Sequence, residues 1–309
     1  MLNDPLDRSL LAAIVRRWEP GARLIDVRPL EGGVSAQTAC LQVETSDGQR
    51  QRLVLRRHGA CDLAQNPRIA ATEHALLRAL RARGFPVARP LTLDEACDLL
   101  PTPYILLEYL PGETLWDPAA PAATAHEIAR QMAAVHTVRA GDPALPPLPD
   151  RLAACQRALA HPPETLDDSL SEAEIRAALA AHAGSPDRNP HVLLHDDLWP
   201  GNILWQGGAV TGILDWSEAA LGDPIADLGN SRLELLWAYG EAAMEAFTAT
   251  YLSLTGHYAA SLPWWDLIAA LKPCGLLSTW VNDPVREAPM RARHRWFTEQ
   301  ALAAMTDGR

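Results

Sequence analysis

The run LLHDDLWPGNILWQGGAVTGILDW, residues 193–216, limits the possible folds more than any other stretch of the chain. Two apolar segments, ILW at 203–205 and AVTGILDW at 209–216, flank Gly207-Gly208, and a glycine pair between such segments is hairpin chemistry. A turn centred on those glycines puts Asn202 and Asp215 at the open end of the hairpin. The loop carrying Asp197 arrives at the same end, so three oxygen-bearing side chains are expected to converge. A carboxylate taken out of water is costly unless it is paired or holds a cation. The arrangement therefore calls for a cation, a proton or a phosphate.

The residue types suit one chemistry. An amide oxygen beside a carboxylate oxygen is a hard donor set of the kind Mg2+ takes while keeping several waters. A nearby carboxylate that is not tied to metal suits orienting or deprotonating a hydroxyl. His195-Asp196-Asp197 through Asn202 has the spacing H-x-D-x-x-x-x-N, and Asp215 follows at a strand end. That order is the layout of kinase-type phosphoryl transfer. An acidic surface loop capping a hairpin is the plainer alternative, and the joint spacing argues against it. His195 is expected to hydrogen-bond the loop rather than take part in the chemistry.

Upstream, residues 22–57 read as three antiparallel strands: ARLIDVRPL, TACLQVET and, after a Ser46-Asp47-Gly48 turn, RLVLRR. Between the first two lies EGGVSAQT. A turn there, with Gly32, Gly33 and Ser35, can drape N–H groups over phosphates, although two glycines are equally an ordinary hairpin turn. Alternation puts Val54 and Arg56 on one face of the third strand. An apolar residue two positions before a cation can roof a base, which favours Arg56 as the phosphate contact over Arg57. Residues 68–83 read as a helix stopped by Gly84, and Glu73 on it is the natural partner for that cation. In PYILLEYL, 103–110, the Glu108 carbonyl and the Leu110 N–H can meet an adenine edge.

Pro111-Gly112 breaks that run and marks a hinge. Beyond it the chain reads as mostly helical, with helices over 121–139, 170–183 and near 225–238, then a Trp-rich helical C-terminus. The expected fold is α+β and bilobal. Residues 1–110 form a small antiparallel-sheet-plus-helix lobe for nucleotide, and residues 111–309 a larger, mostly helical lobe for catalysis and substrate.

Composition narrows the partners. Residues 1–110 hold 14 arginines against 13 acids, whereas residues 111–309 hold 13 basic against 25 acidic residues. Nucleic acid is an unsuitable partner for so acidic a lobe, and a cationic acceptor is a suitable one. Lys272 is the only lysine in the sequence, so a GxxxxGK[ST] phosphate loop is impossible. Five scattered cysteines, never in CxxC spacing, argue for a reducing cytoplasm rather than a disulfide framework. No apolar run approaches the roughly 20 residues of a membrane helix, and the start MLNDPLDRSLLAAIV has acids where a secretory signal carries basic residues. Membrane contact and secretion are not expected.

Taken together, GGVSAQT, LVLRR, LLEYLPGETL, HDDLWPGNIL, ILDW and GDPIADL resemble the aminoglycoside phosphotransferase family, relatives of choline kinases with the protein-kinase-like fold. The likeness runs from about residue 24 to 230. It implies Asp197 as catalytic base, Asn202 and Asp215 as Mg2+ ligands, and Arg56 with Glu73 as the phosphate-anchoring pair. It also implies Asp223 and Asp227 as supports of the catalytic loop, although helix capping reads almost as well for Asp223. Two positions depart from the family's pattern: Asp196 stands where glycine is usual, and Arg56 where many relatives carry lysine. The resulting expectation is a cytoplasmic kinase that moves the γ-phosphoryl group of ATP or GTP to a small-molecule hydroxyl. The competing reading is a nucleotide-binding pseudokinase that regulates or recruits.

Overall fold

The computed structural model describes residues 7–30, 36–116, 118–182, 186–281 and 283–307. The chain packs as two compact units. The first gathers the chain up to Glu113 with Pro143–Pro147 and Ile203–Ser217; the second gathers Thr114–Asp142, Leu148–Asn202 and the chain from Glu218 onward.

The first unit is built on a five-stranded antiparallel sheet. It contains α1 (Arg8–Trp18), β1 (Arg23–Leu30), β2 (Ala36–Glu44), β3 (Arg50–His58), α2 (Ala60–Gln65), α3 (Ile69–Ala82), β4 (Pro90–Asp94) and β5 (Tyr104–Glu108). The strand order is β1-β2-β3-β5-β4. Three of these strands and α3 follow the expected positions, and the Asp47-Gly48 turn joins β2 to β3 with Gly48 at φ +82°. The period of two decides what each strand buries. Leu41 and Val43 of β2 and Leu53 and Leu55 of β3 point into a core completed by Leu11, Ile14 and Val15 of α1. Arg56 consequently faces the opposite side of the sheet. On α3, Ile69, Ala70, Glu73, Leu76, Leu77 and Leu80 are buried at helical spacing, so Glu73 sits within the apolar stripe.

A hairpin from much later in the sequence completes this unit: β7 (Ile203–Gln206) and β8 (Ala209–Ile213) turn at Gly207-Gly208, as the glycine pair predicts. The segment following β5 is stitched to it. Glu113 and Trp205 exchange backbone hydrogen bonds of 3.0 and 2.9 Å, and Thr211 Oγ1 donates to the Pro111 carbonyl at 2.6 Å. Gly112 lies between these contacts at φ +137°, where a Cβ would stand 2.6 Å from Thr211 Oγ1 and 3.0 Å from the Trp205 carbonyl oxygen. Only glycine fits there.

The second unit is mainly helical: α4 (Pro121–Val135), α5 (Arg151–Ala160), α6 (Glu172–Ala181), α7 (Pro224–Tyr239), α8 (Glu241–Thr255), α9 (Leu262–Leu271), α10 (Leu277–Val281) and α11 (Pro284–Asp307). The short strands β6 (Val192–Leu194) and β9 (Ala220–Gly222) pair antiparallel beside α7. α7 is buried along most of its length. Its Gly229 lets α9 approach closely, since a Cβ there would lie 2.9 Å from the Trp265 carbonyl carbon. Trp264 and Trp265 are themselves core, packed edge to face with centroids 4.8 Å apart.

Candidate active site

In the first unit, Arg56 donates from Nε to Glu73 Oε2 at 3.0 Å and from Nη2 to Asp215 Oδ1 at 2.5 Å. His58 Nε2 stands 2.9 Å from the same Glu73 oxygen, and Ser217 Oγ donates to Asp215 Oδ1 at 2.7 Å. Arg56 and Glu73 are 8% and 3% exposed, so the pair is matched charge for charge in a dry setting. Burial by itself would raise the Glu73 carboxyl, but Arg56 and His58 hold it below its ordinary value. Burial would likewise lower Arg56, yet Glu73 and Asp215 hold its guanidinium firmly charged. Arg57, the runner-up cation, is engaged elsewhere, with Gln37 and Thr102. Asp215 itself adopts the left-handed region at φ +57°, a backbone state that short polar residues tolerate and that gathers at functional sites.

Two expected nucleotide contacts are less distinctive. Glu108 closes β5, where its N–H donates to the Arg89 carbonyl at 2.9 Å and its carboxylate accepts from the Arg89 N–H at 3.1 Å. Leu110 follows that strand, its side chain lying over Gly212. Gly32, Gly33 and Ser35 fall outside the described residues.

In the second unit, the loop after β6 is held from below by one buried carboxylate. Asp227 of α7 accepts from the N–H groups of His195 and Asp196 at 2.7 and 2.6 Å, and lies 3.0 Å from His136 Nε2. Burial opposes its charge, but His136, His195 and these hydrogen bonds keep its carboxyl below the ordinary range. His195 is fully buried and its Nδ1 faces the Asp197 N–H at 3.3 Å, a positioning contact within the loop. Ser231 Oγ donates to the Leu198 carbonyl at 2.6 Å. Asn202 then donates from Nδ2 to the Asp197 carbonyl at 2.8 Å and to Asp197 Oδ2 at 3.0 Å, leaving the amide oxygen pointed away from Asp197. Asp223 works differently from Asp227. It caps α7 through the Ile225 N–H and gathers the Arg188 and Asn189 backbone, upstream of the loop.

Asp196 explains its own oddity. Its φ is +60°, the left-handed region that favours glycine and that aspartate is among the residues to tolerate. The side chain is buried and reaches Arg151 of α5, with Oδ1 2.8 Å from Nε in an ion pair that lacks hydrogen-bond alignment. Burial pushes its carboxyl up to about 6, against the pull of Arg151 and Lys272.

Sequence reasoning missed three residues around Asp197. Lys272, just past α9, donates to the Asp196 carbonyl at 2.8 Å and to Asp197 Oδ1 at 3.2 Å. Arg151 neutralises Asp196, and Glu234 of α7 lies close enough to Asp197 that burial and then this neighbour push its carboxyl up to about 8. The one available signal was the solitary lysine of an arginine-rich chain, noted for the phosphate loop it ruled out. Among the described residues no cluster of three or more histidine, cysteine or acidic side chains could hold a metal ion. Each unit offers one oxygen donor of the kind Mg2+ takes, the Asp215 carboxylate in the first and the Asn202 amide in the second.

Residues 26–266 match the model of the phosphotransferase enzyme family, and the chain belongs to that family. Among curated proteins it is 27% identical to viomycin phosphotransferase of Streptomyces vinaceus over 254 residues, 75% of each chain. It is 25% identical over 199 residues to mouse acyl-CoA dehydrogenase family member 10, but that match spans only 18% of the mouse protein. The macrolide 2'-phosphotransferase of Brachybacterium faecium superposes with a TM-score of 0.62 at 23% identity, covering 92% of this chain and 97% of that one. A thermostable mutant of aminoglycoside phosphotransferase APH(4)-Ia, solved with ADP and hygromycin B, gives a TM-score of 0.64 at 18% identity, covering 96% of this chain and 98% of that one. These neighbours establish the protein-kinase-like fold of the aminoglycoside phosphotransferases.

Proposed function

We propose that this phosphotransferase is a cytoplasmic small-molecule kinase that transfers the γ-phosphoryl group of ATP or GTP to an acceptor hydroxyl. The observation that carries the reading is the Asp197–Asn202 pair, held on a loop whose backbone is fixed by the buried Asp227. Asp197 orients the acceptor hydroxyl and takes its proton as the new O–P bond forms, while the nucleoside diphosphate departs with the electron pair of the broken bond. Arg56, kept charged and aligned by Glu73, anchors the nucleotide phosphates, and Arg suits this because its planar fork grips phosphate oxygens in pairs. Asn202 and Asp215 would hold Mg2+, which when bound offsets the negative charge of the triphosphate. Gly32, Gly33 and Ser35 are assigned to the phosphates, and the Glu108 carbonyl and Leu110 N–H to the base.

Likeness to a viomycin phosphotransferase and to an aminoglycoside phosphotransferase supports a hydroxylated, antibiotic-like acceptor, and the acidity of residues 111–309 favours one bearing amines. The five free cysteines agree with a reducing compartment, and among the described residues no helix is long and apolar enough to cross a membrane. The deciding experiment replaces the base. Asp197→Ala is expected to lower turnover by about 10²–10⁴-fold with nucleotide affinity retained, measured by coupled nucleotide consumption against a panel of hydroxylated amines, sugars and macrolides. Near-wild-type turnover in that variant overturns the reading. A wild-type protein that binds nucleotide and turns over none of the panel points to the pseudokinase instead.

A further inference from the structure

We propose that Lys272 is a further catalytic residue, its ammonium holding the Asp197 carboxylate and donating to the phosphoryl oxygens as they reach the acceptor. The proposal rests on the reading of Asp197 as base. Residues 195–202 contain no arginine or lysine, so the loop that carries the base brings no cation of its own. A cation arrives instead from the end of α9, where Lys272 Nζ donates to the Asp196 carbonyl at 2.8 Å and to Asp197 Oδ1 at 3.2 Å. Asn202 occupies the other Asp197 oxygen, so the carboxylate is gripped from both sides.

An ammonium has three N–H donors, and the two contacts account for two of them. The third is available to whatever oxygen stands beside the base. The side chains of Lys272 and Asp197 are 27% and 30% exposed, so the pair opens to solvent, as a group that must meet an entering hydroxyl has to. In the transfer step the acceptor oxygen bonds to phosphorus, its proton passes to Asp197, and the bridging oxygen leaves with the nucleoside diphosphate. Lys272 keeps its proton throughout. Burial would lower its affinity for that proton, but the carboxylates of Asp197, Asp196 and Glu218 raise it well above the ordinary lysine value, with Arg151 opposing. A donor fixed beside the place where phosphoryl charge accumulates stabilises the transition state more than the bound ground state.

A lysine after a helix also interacts favourably with the helix end, and that purely structural role makes a different forecast. The test compares two probes in magnesium buffer: AMP-PNP for the ground state, and ADP with aluminium fluoride for the transition state. Lys272→Met, with folding checked by thermal melting, is expected to bind AMP-PNP within about 3-fold of wild type while losing about 10²-fold on the aluminium fluoride complex. Lys272→Gln replaces it should the methionine variant not fold. Unchanged affinity for both probes, or equal losses on both, overturns the proposal. Asp197→Asn separates the two claims. If that variant keeps wild-type turnover the base assignment fails, whereas an inactive Asp197→Asn beside an unimpaired Lys272→Met removes only the role of Lys272.

Discussion

The two units each hold a cation among carboxylates, and they do so in opposite ways. In the first, an arginine fork spans Glu73 and Asp215, residues 142 positions apart in the chain, and the Arg56 and Glu73 side chains are almost wholly buried. In the second, a lysine touches a backbone carbonyl and one oxygen of Asp197, and both side chains remain more than a quarter exposed. The planar, weakly hydrated guanidinium is suited to a dry, fixed lattice, and the compact ammonium to a wet site where a third party must enter. The first cluster is therefore expected to serve the fold as well as the phosphates, and the second chiefly the reaction.

That contrast can be broken most sharply at Glu73. Glu73→Ala leaves Arg56 partly uncompensated in a buried setting and is expected to destabilise the protein by about 3–5 kcal/mol. Lys272→Met is expected to cost under about 1 kcal/mol, as for other partly exposed pairs. Urea unfolding of both variants checks this, and similar losses would erase the distinction. Asp196 provides the next largest effect. Its folded-state carboxyl titrates at about 6 against an ordinary 3.8, so the fold favours the protonated form. The stability this confers is complete below pH 3.8 and lost as pH rises through 6, a swing on the order of 3 kcal/mol. Subtracting the pH profile of Asp196→Asn from that of wild type should expose that fall, and a flat difference between pH 4 and 7 contradicts the burial argument. A smaller effect than that of Asp196 sharpens the boundary of the first unit. Gly112→Ala, at positive φ and against Thr211 and Trp205, should cost about 1–3 kcal/mol without altering m.

Local chemistry was legible in the sequence, and long-range pairing was legible only where a motif supplied it. The Gly207-Gly208 hairpin, the β2–β3 turn and α3 rest on neighbouring residues, and all lie where alternation and turn chemistry put them. Arg56 was favoured because Val54, two positions before it, can roof a base, and Glu73 because it lies on the helix that follows. The helices α1, α2 and α5 and the β6–β9 pair were not read. β6 and β9 are three residues each, too short for periodicity to register. Nor could Lys272 be placed beside Asp197, because that contact depends on how closely α7 and α9 pack at Gly229, a property of three-dimensional fit. Asp196 departed from the pattern of the resembled family, and the sequence held no sign that its carboxylate turns toward Arg151.

The hairpin at 203–217 joins the unit formed by the first 113 residues, so that unit is written in separated pieces along the chain. During synthesis its opening stretch leaves the ribosome roughly 90 residues ahead of the hairpin, and Arg56, 159 positions before Asp215, waits roughly 8–32 seconds for it at about 5–20 residues per second. A fragment cut after Glu113 would make that wait permanent. Neither half of this protein can be obtained by a single truncation, and pulse-labelled nascent chains should gain protease resistance in the N-terminal region only once the hairpin has emerged.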